Sequence, residues 1–330
     1  MAEVGPAPRE LRVGIAQAGR RLDQVLAEAL PEFSRSRIQR WIEAGQVQVE
    51  GRVRRCRDRV QVGERILCVP TSDPVGDDRA EAIPLTVVFE DSDLLVVDKP
   101  ADLVVHPAAG NPDGTLLNAL LHHCPALRHL PRSGLVHRLD KDTTGLLVVA
   151  KTLAAHTALV RQLQERSMHR EYRALVNGTM RAGGRIEAPI GRHPVQRKRM
   201  AVVSSGRPAV THYRILERFS AQTLIGVRLE TGRTHQIRVH LAHVRHPLVG
   251  DPVYGGRPRR PKGASSTLIA ALQGFPRQAL HAVALGLTHP RDRTSLHFEV
   301  PLAADLAALI DTLRKEQNLD VDRTGLAGAG

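Results

Sequence analysis

Apolar residues recur along this chain with two different periods, and the change from one to the other divides it. Leu22, Val25, Leu26, Ala29 and Leu30 recur at helical spacing, so residues 21–30 predict a short amphipathic helix that Pro31 stops. Ser34 stands where an N-cap belongs, ahead of Ile38, Trp41 and Ile42 on one face of a second helix that Gly45 ends. Val47 and Val49 then alternate with polar residues, Glu50-Gly51 marks a turn, and residues 65–69 read as a strand. The expectation is a helix–helix–strands unit over residues 17–70.

Residues 71–83 (TSDPVGDDRAEAI) interrupt the pattern. They are acidic, hold Pro74 and Gly76, and show no apolar period, so they predict a mobile linker. From Pro84 onward short strand-like runs dominate. Leu94-Leu95-Val96-Val97 is one buried strand, ending in Asp98-Lys99-Pro100, and residues 146–150 are another. Residues 154–166 carry a helical period, whereas Tyr172, Ala174 and Val176 alternate, as do residues 224–229. Ile237, Leu241 and Val244 fall on one face of a further helix with Thr234 near its N-cap. The fold class is α+β, with a largely antiparallel sheet over residues 84–315 and a frayed tail over 316–330 that ends Gly-Leu-Ala-Gly-Ala-Gly.

Charge changes the picture more than composition does. Lys and Arg number 47 against 34 acids in 330 residues, a net +13. A surplus of that size suits a polyanion such as nucleic acid, or else a merely solvated basic surface. The first unit concentrates it: residues 12–70 hold 12 arginines and 7 acids. Arg35, Arg37 and Arg40 lie near one face of the second helix, and Arg52 to Arg59 add a basic turn. Aromatic residues are scarce at 3%, so each tyrosine is a candidate for stacking on a base. Cys56, Cys68 and Cys124 lie far apart and form no CxxC pair, so neither a disulfide framework nor a zinc ribbon is indicated.

Chemistry gathers in three segments. Gly134-Leu-Val-His-Arg-Leu-Asp-Lys-Asp-Thr-Thr-Gly145 puts Asp140 and Asp142 among Arg138 and Lys141, just ahead of a buried strand. Such a carboxylate is suited to act on an anionic substrate. Asp142 is expected to brace the turn with Thr143 and Thr144. Arg170-Glu-Tyr172-Arg-Ala-Leu-Val176 sets a tyrosine on a strand, and Glu230-Thr-Gly-Arg233-Thr-His235-Gln236-Ile-Arg238-Val-His-Leu241 opens a helix with polar residues.

The string His-Arg-Leu-Asp-Lys-Asp-Thr-Thr-Gly resembles the active-site motif of RluA/RluD-type RNA pseudouridine synthases, closest to the RluD type. The other two segments resemble motifs of the same family, as do His106-Pro-Ala-Ala-Gly110, Pro208-Ala-Val-Thr-His-Tyr213 and His246-Pro-Leu-Val-Gly-Asp-Pro-Val-Tyr-Gly255. Arg21-Leu-Asp23 and Ser34-Arg-Ser-Arg37, with Gly45-Gln-Val-Gln-Val-Glu-Gly51, resemble an S4 RNA-binding domain. Together these imply an N-terminal S4-like domain joined to a pseudouridine synthase catalytic domain.

The resemblance implies Asp140 as the catalytic aspartate, Tyr172 as the active-site tyrosine and Arg238 as the ion-pair partner of Asp140. Asp140 would serve as nucleophile on the sugar or as base for its C2′ proton. Tyr172 would stack on the flipped base or handle its C5 proton. Arg138 is a candidate to fill the gap left by a flipped uridine or hold the displaced phosphate, with a structural salt bridge as the alternative. His106, Arg233, His235 and Gln236 are candidate substrate contacts, and Arg35, Arg37 and Arg40 candidate RNA contacts. The implied substrate is 23S rRNA of the bacterial large ribosomal subunit, in the stem-loop that meets the small subunit. The basic segment 256–262 could alter which RNA is chosen.

Isomerisation is redox-neutral, so no cofactor is expected. His122-His123-Cys124 and His240-x-x-His243 have ligand spacing without a completing carboxylate, so no metal site is expected either. No apolar run approaches the roughly 20 residues of a membrane span, so a cytoplasmic protein without an obligate protein partner is expected. Two rival classes are a non-catalytic S4-type assembly factor and a carboxylate-based glycosidase, which would require a second essential carboxylate.

Overall fold

A computed structural model describes residues 8–30, 35–69, 79–108, 110–196, 199–256, 261 and 263–326. Pro31, Ser34, linker residues 71–78, most of the basic segment 256–262 and the side chains of Arg35 and Arg37 lie outside the described residues.

In the first unit the helices Leu22–Ala29 and Arg35–Glu43 cover a four-stranded antiparallel sheet. Its strands run in the order Arg9–Arg12, Arg65–Cys68, Val47–Val49, Arg52–Val53, so the sheet begins upstream of residue 17. The helical faces read from sequence close the core: Leu22, Leu26, Ile38, Trp41 and Ile42 pack with Val47, Val49, Ile66 and Cys68. Asp23 is fully buried beneath them and accepts bonds from Arg21 Nε (3.0 Å) and Gln39 Nε2 (2.7 Å). That pairing ties the start of the first helix to the second, so Arg21 serves the fold.

The larger unit is built on a nine-stranded mixed sheet. Thr86–Glu90, Leu94–Lys99, Thr144–Ala150, Leu280–Thr288, His169–Asn177, Gln222–Leu229, Val210–Arg218 and Gly184–Glu187 lie side by side, and Ser295–Glu299 also pairs with Leu280–Thr288. Thr144–Ala150 is fully buried along its length because both sheet faces are covered. Leu147 and Val149 face a core shared with the Leu116–His123 helix, while Leu146 and Val148 face one shared with Leu153–Glu165. Pairing is antiparallel except where Thr144–Ala150 meets Leu280–Thr288 at His281–Thr144 and Ala282–Gly145. Gly145 there has φ of +109°, and a Cβ would lie 2.6 Å from the Ala282 nitrogen. Glycine is required for the strands to close at the end of the Asp140 loop.

Two expectations need correction. The linker does not run free to residue 83: Glu81 N–H donates to Asn118 O (3.0 Å), Gly114 N–H donates to Glu81 (3.0 Å), and Ile83 packs on the main core. The tail does not begin at Glu316, because the helix Ala304–Leu326 continues through it. Glu316 accepts from Ser265 N (2.7 Å), and Leu306, Ile310 and Leu313 anchor the helix in an apolar cluster. The helix Gln236–His243 starts where expected, with His235, next to Thr234, at the N-cap position and making no side-chain capping bond. His235 adopts φ of +55°, a conformation that side chains rarely take. Among the described residues no helix is long and apolar enough to cross a membrane.

Candidate active site

A cleft of about 720 Å³ opens over the sheet, and Asp140, Tyr172 and Arg238 all line it. Three pieces of chain far apart in sequence bring them there. Asp140 ends the loop before Thr144–Ala150, Tyr172 lies on His169–Asn177, and Arg238 lies in the first turn of Gln236–His243. Arg138, His106, Arg233, His235 and Gln236 also line the cleft.

The Asp140 loop is held from below by two cations. Lys99 is 1% exposed and donates to the carbonyls of Pro100 (2.6 Å), Leu103 (2.9 Å) and Lys141 (2.7 Å). Burial pushes its ammonium down to about 7. Arg277 donates from Nη1 to Asp142 O (3.1 Å) while its fork grips Asp305 at 2.6 and 2.7 Å. The turn itself closes through Thr143 N–H on Asp140 O (3.0 Å). Thr143 and Thr144 reach away, to Gln278 (3.1 Å) and His281 (2.8 Å). The turn is thus braced by backbone carbonyls on buried cations; among the described contacts no hydrogen bond runs from the Asp142 carboxylate to either threonine.

Arg238 Nη1 meets Asp140 Oδ2 at 3.2 Å. Its stronger partner is a residue that sequence reasoning left without a role: Asp251 takes Nε at 2.7 Å and Nη2 at 2.8 Å. Asp251 Oδ1 also accepts from the N–H groups of Val253 and Tyr254, both at 2.9 Å. Burial works against charge on both groups of this pair, but their hydrogen bonds and mutual attraction outweigh it. They hold Arg238 above its usual range and the Asp251 carboxyl below its own. The segment His246-Pro-Leu-Val-Gly-Asp-Pro-Val-Tyr-Gly255 held the signal, an aspartate in a tight apolar turn.

Tyr254, from the same segment, is the second residue missed. Its ring lies 5.1 Å from the Arg238 guanidinium carbon, and its hydroxyl meets His235 Nδ1 at 2.9 Å. The other nitrogen of His235 lies 3.9 Å from Asp140 Oδ1. Burial lowers the affinity of His235 for a proton, and the Asp140 charge opposes this. Tyr172 is 5% exposed; burial raises its hydroxyl pKa, the Arg170 charge opposes this and Asp140 adds to it.

The remaining candidates separate by what their polar atoms already do. Gln236 is 3% exposed and spends its amide on Thr231 (2.8 Å), Arg233 N–H (3.0 Å), Val210 O (3.0 Å) and Thr211 (3.0 Å). It builds the turn before the helix, which corrects its place as a substrate contact. Arg138 is exposed, and among the described residues no salt bridge engages it. Arg233 gives Nε to Pro208 O (3.2 Å) and keeps the rest of its guanidinium at the cleft. His106 keeps a buried, unpartnered Nδ1, and burial, helped by the charges of Arg138 and Arg132, takes its pKa down to about 4.

Arg40 is exposed on its helix, remote in sequence from the cleft residues. His240 cannot serve a metal, since its ring nitrogens meet Thr211 (2.9 Å) and Ala188 O (2.9 Å). Asp91, Asp93 and His289 converge elsewhere, but Arg291 occupies Asp93 at 2.7 Å and His289 pairs with Asp91 at 3.0 Å.

The cleft thus brings together an aspartate, an arginine aimed at it and a buried tyrosine over the central sheet. The chain belongs to the RNA pseudouridylate synthase family, whose model matches residues 93–243, and carries an S4 domain over residues 20–66. It is similar to Ribosomal large subunit pseudouridine synthase D of Pseudomonas aeruginosa, 55% identical over 94% of this chain and 97% of that one. The protein of that name from Escherichia coli K12 is 54% identical over 91% and 92% of the two chains. Among solved structures, Human RNA Pseudouridylate Synthase Domain Containing 1 aligns at TM-score 0.52 and 27% identity, over 71% of this chain and 96% of that chain. Human RNA Pseudouridylate Synthase Domain Containing 4 shares the fold at TM-score 0.54 and 24% identity, over 69% and 93%.

Proposed function

We propose that this enzyme converts uridines to pseudouridine in 23S rRNA of the large ribosomal subunit, in the helix 69 stem-loop, with Asp140 as the group that acts on the sugar. The observation that carries the reading is Asp140 facing Arg238 at 3.2 Å, with Arg238 itself aimed by buried Asp251. Relatives named for the large ribosomal subunit, similar over almost the whole chain, support the substrate class.

An ionised Asp140 beside a flipped uridine attacks C1′ or removes the C2′ proton, and either route releases the base from N1 for reattachment through C5. Tyr172 lies against the base. Arg138, His106, Arg233 and His235 bind the RNA around it. Arg35, Arg37 and Arg40 grip phosphates from the S4 unit, which recognises shape and backbone more than base sequence. The chain works as an RNA-gripping unit over residues 17–70 and its upstream strand, a linker, and a catalytic unit from about residue 81 through the helix Ala304–Leu326, in the cytoplasm with rRNA as its partner.

Pseudouridine mapping of 23S rRNA after incubation with wild type and Asp140→Asn tests this. New pseudouridines in one stem-loop with wild type alone are expected. Modification by the variant at the wild-type rate would remove Asp140 from its role, and modification elsewhere would reassign the RNA.

A further inference from the structure

Beside the saturated Arg238, the same cleft holds a cation with nothing to pair with. Arg170 is 8% exposed, and its Nε is buried without a hydrogen-bond partner. Among the described residues no ion pair or hydrogen bond engages its side chain. It stands two residues before Tyr172 on the His169–Asn177 strand, and both line the cleft with Asp140. Its Nη1 lies 3.1 Å from where a Cβ on residue 232 would be, so Gly232 leaves room for the guanidinium. Its charge is felt at the Tyr172 hydroxyl, where it opposes the effect of burial.

A buried guanidinium left unpaired is costly, because desolvation is not offset by any attraction. A cleft that tolerates one is built for an acceptor that arrives with the ligand. Two anionic acceptors come with RNA: a backbone phosphate, present throughout, and the uracil ring, which becomes anionic only during reaction. Position favours the ring. Arg170 is buried and two residues from Tyr172 on the same strand, lining the cleft that holds Asp140, whereas Arg138 already stands exposed at the cleft for a phosphate.

We propose that Arg170 is a catalytic cation that receives the negative charge developing on uracil as the glycosidic bond breaks. This rests on the functional reading above. When C1′–N1 breaks, its electron pair goes to N1 and spreads onto the O2 and O4 carbonyls. The sugar carbon is left bonded to Asp140, or as a glycal whose C2′ proton Asp140 holds. The base turns, C5 bonds to C1′ as Asp140 departs or returns its proton to C2′, the C5 proton leaves to solvent, and N1, which took the electron pair, takes a proton up. Atoms are conserved and nothing is oxidised or reduced. Arg170 contributes through donors fixed in place before the charge appears, the arrangement in which electrostatic stabilisation is most effective.

Arg170→Met and Arg170→Lys are compared with wild type for RNA affinity, single-turnover pseudouridine formation on the stem-loop transcript at saturating enzyme, and thermal midpoint. Arg170→Met should slow the single turnover by about 10²–10³-fold, as for loss of one transition-state donor, with RNA affinity within about threefold. Its thermal midpoint should match or exceed wild type, since no native pair is broken. Arg170→Lys should recover part of the rate. Gly232→Ala, which crowds the guanidinium and removes no charge, should lower the rate at unchanged affinity.

Weakened affinity with an unchanged saturated rate would make Arg170 a phosphate clamp and overturn the proposal. A fall of several degrees in the midpoint of Arg170→Met would make it structural, with the same result. Wild type that forms no pseudouridine would defeat the functional reading itself, and the role of Arg170 with it.

Discussion

Arg238 gives its two-pronged contact to Asp251, at 2.7 and 2.8 Å, and turns one nitrogen toward Asp140 at 3.2 Å. The cation at the reacting carboxylate is therefore fixed by a different carboxylate, fully buried, before RNA arrives. Stability and catalysis should separate along this line. Asp251→Ala strands a buried guanidinium and should cost roughly 3–5 kcal/mol, while Asp140→Asn leaves the buried fork intact and should melt near wild type. Both should lose turnover. Thermal melts of the two variants decide it: equal destabilisation would mean that Asp140, not Asp251, anchors the arginine.

Buried histidines set a dependence of stability on pH, and His106 and His281 are two of them. Burial holds His106 and His281 at about 4, helped by Arg138 and Arg132 at the first and by Arg277 at the second. Their ordinary value is about 6.5. Between those values the unfolded chain binds more protons than the folded one, so stability falls as pH drops from about 6.5 toward 4. Above that window the two residues contribute no slope. The thermal midpoint of wild type should decline through this range, and the double variant His106→Asn, His281→Asn should decline less. Identical slopes for the two proteins would rule these histidines out as the source.

Much of this arrangement was legible in the sequence, for identifiable reasons. Strand Leu94–Lys99 showed as an apolar run because the sheet is covered on both faces, and Tyr172 showed through period-two alternation. The three segments carrying Asp140, Tyr172 and Arg238 do converge on one cleft. What stayed hidden was partnership. Nothing local in Asp251 distinguishes an arginine's principal anchor from a turn aspartate, since its partner is 13 residues away and the contact depends on the fold. Gln236 looked available because polar residues at a helix start usually are, yet its four bonds close the preceding turn. The helix past Glu316 was missed because its composition is polar there; it continues a stretch anchored upstream by Leu306, Leu309 and Leu313.

The arginines of the first unit should act through charge count. Arg40, Arg55 and Arg57 are exposed, and none is needed by the apolar core beneath. Each phosphate contact removed should lessen the slope of log affinity against log salt by about 0.7–0.9. The triple alanine variant should therefore bind the stem-loop more weakly and with a shallower slope, at unchanged single-turnover rate once saturated. An unchanged slope would mean that this face does not meet RNA.

Lys99 is the sharpest test of how the Asp140 loop is held. Its ammonium has three protons and meets three backbone carbonyls, one of them on Lys141, next to Asp140. Lys99→Met keeps the length and apolar stem of the side chain but leaves three buried acceptors unpaired, each worth about 1–3 kcal/mol when stranded. The loop has a second support in Arg277 on Asp142 O, so it should loosen without unfolding the domain. A misplacement of about 1 Å at the reacting carboxylate can cost on the order of 10²-fold in rate. The expected result is a lower thermal midpoint together with a large loss of single-turnover rate at near-normal RNA affinity. Lys99→Arg should not rescue it, because a planar fork does not match three converging carbonyls. A Lys99→Met enzyme that melts early yet turns over at the wild-type rate would show that the loop keeps its geometry without this lysine.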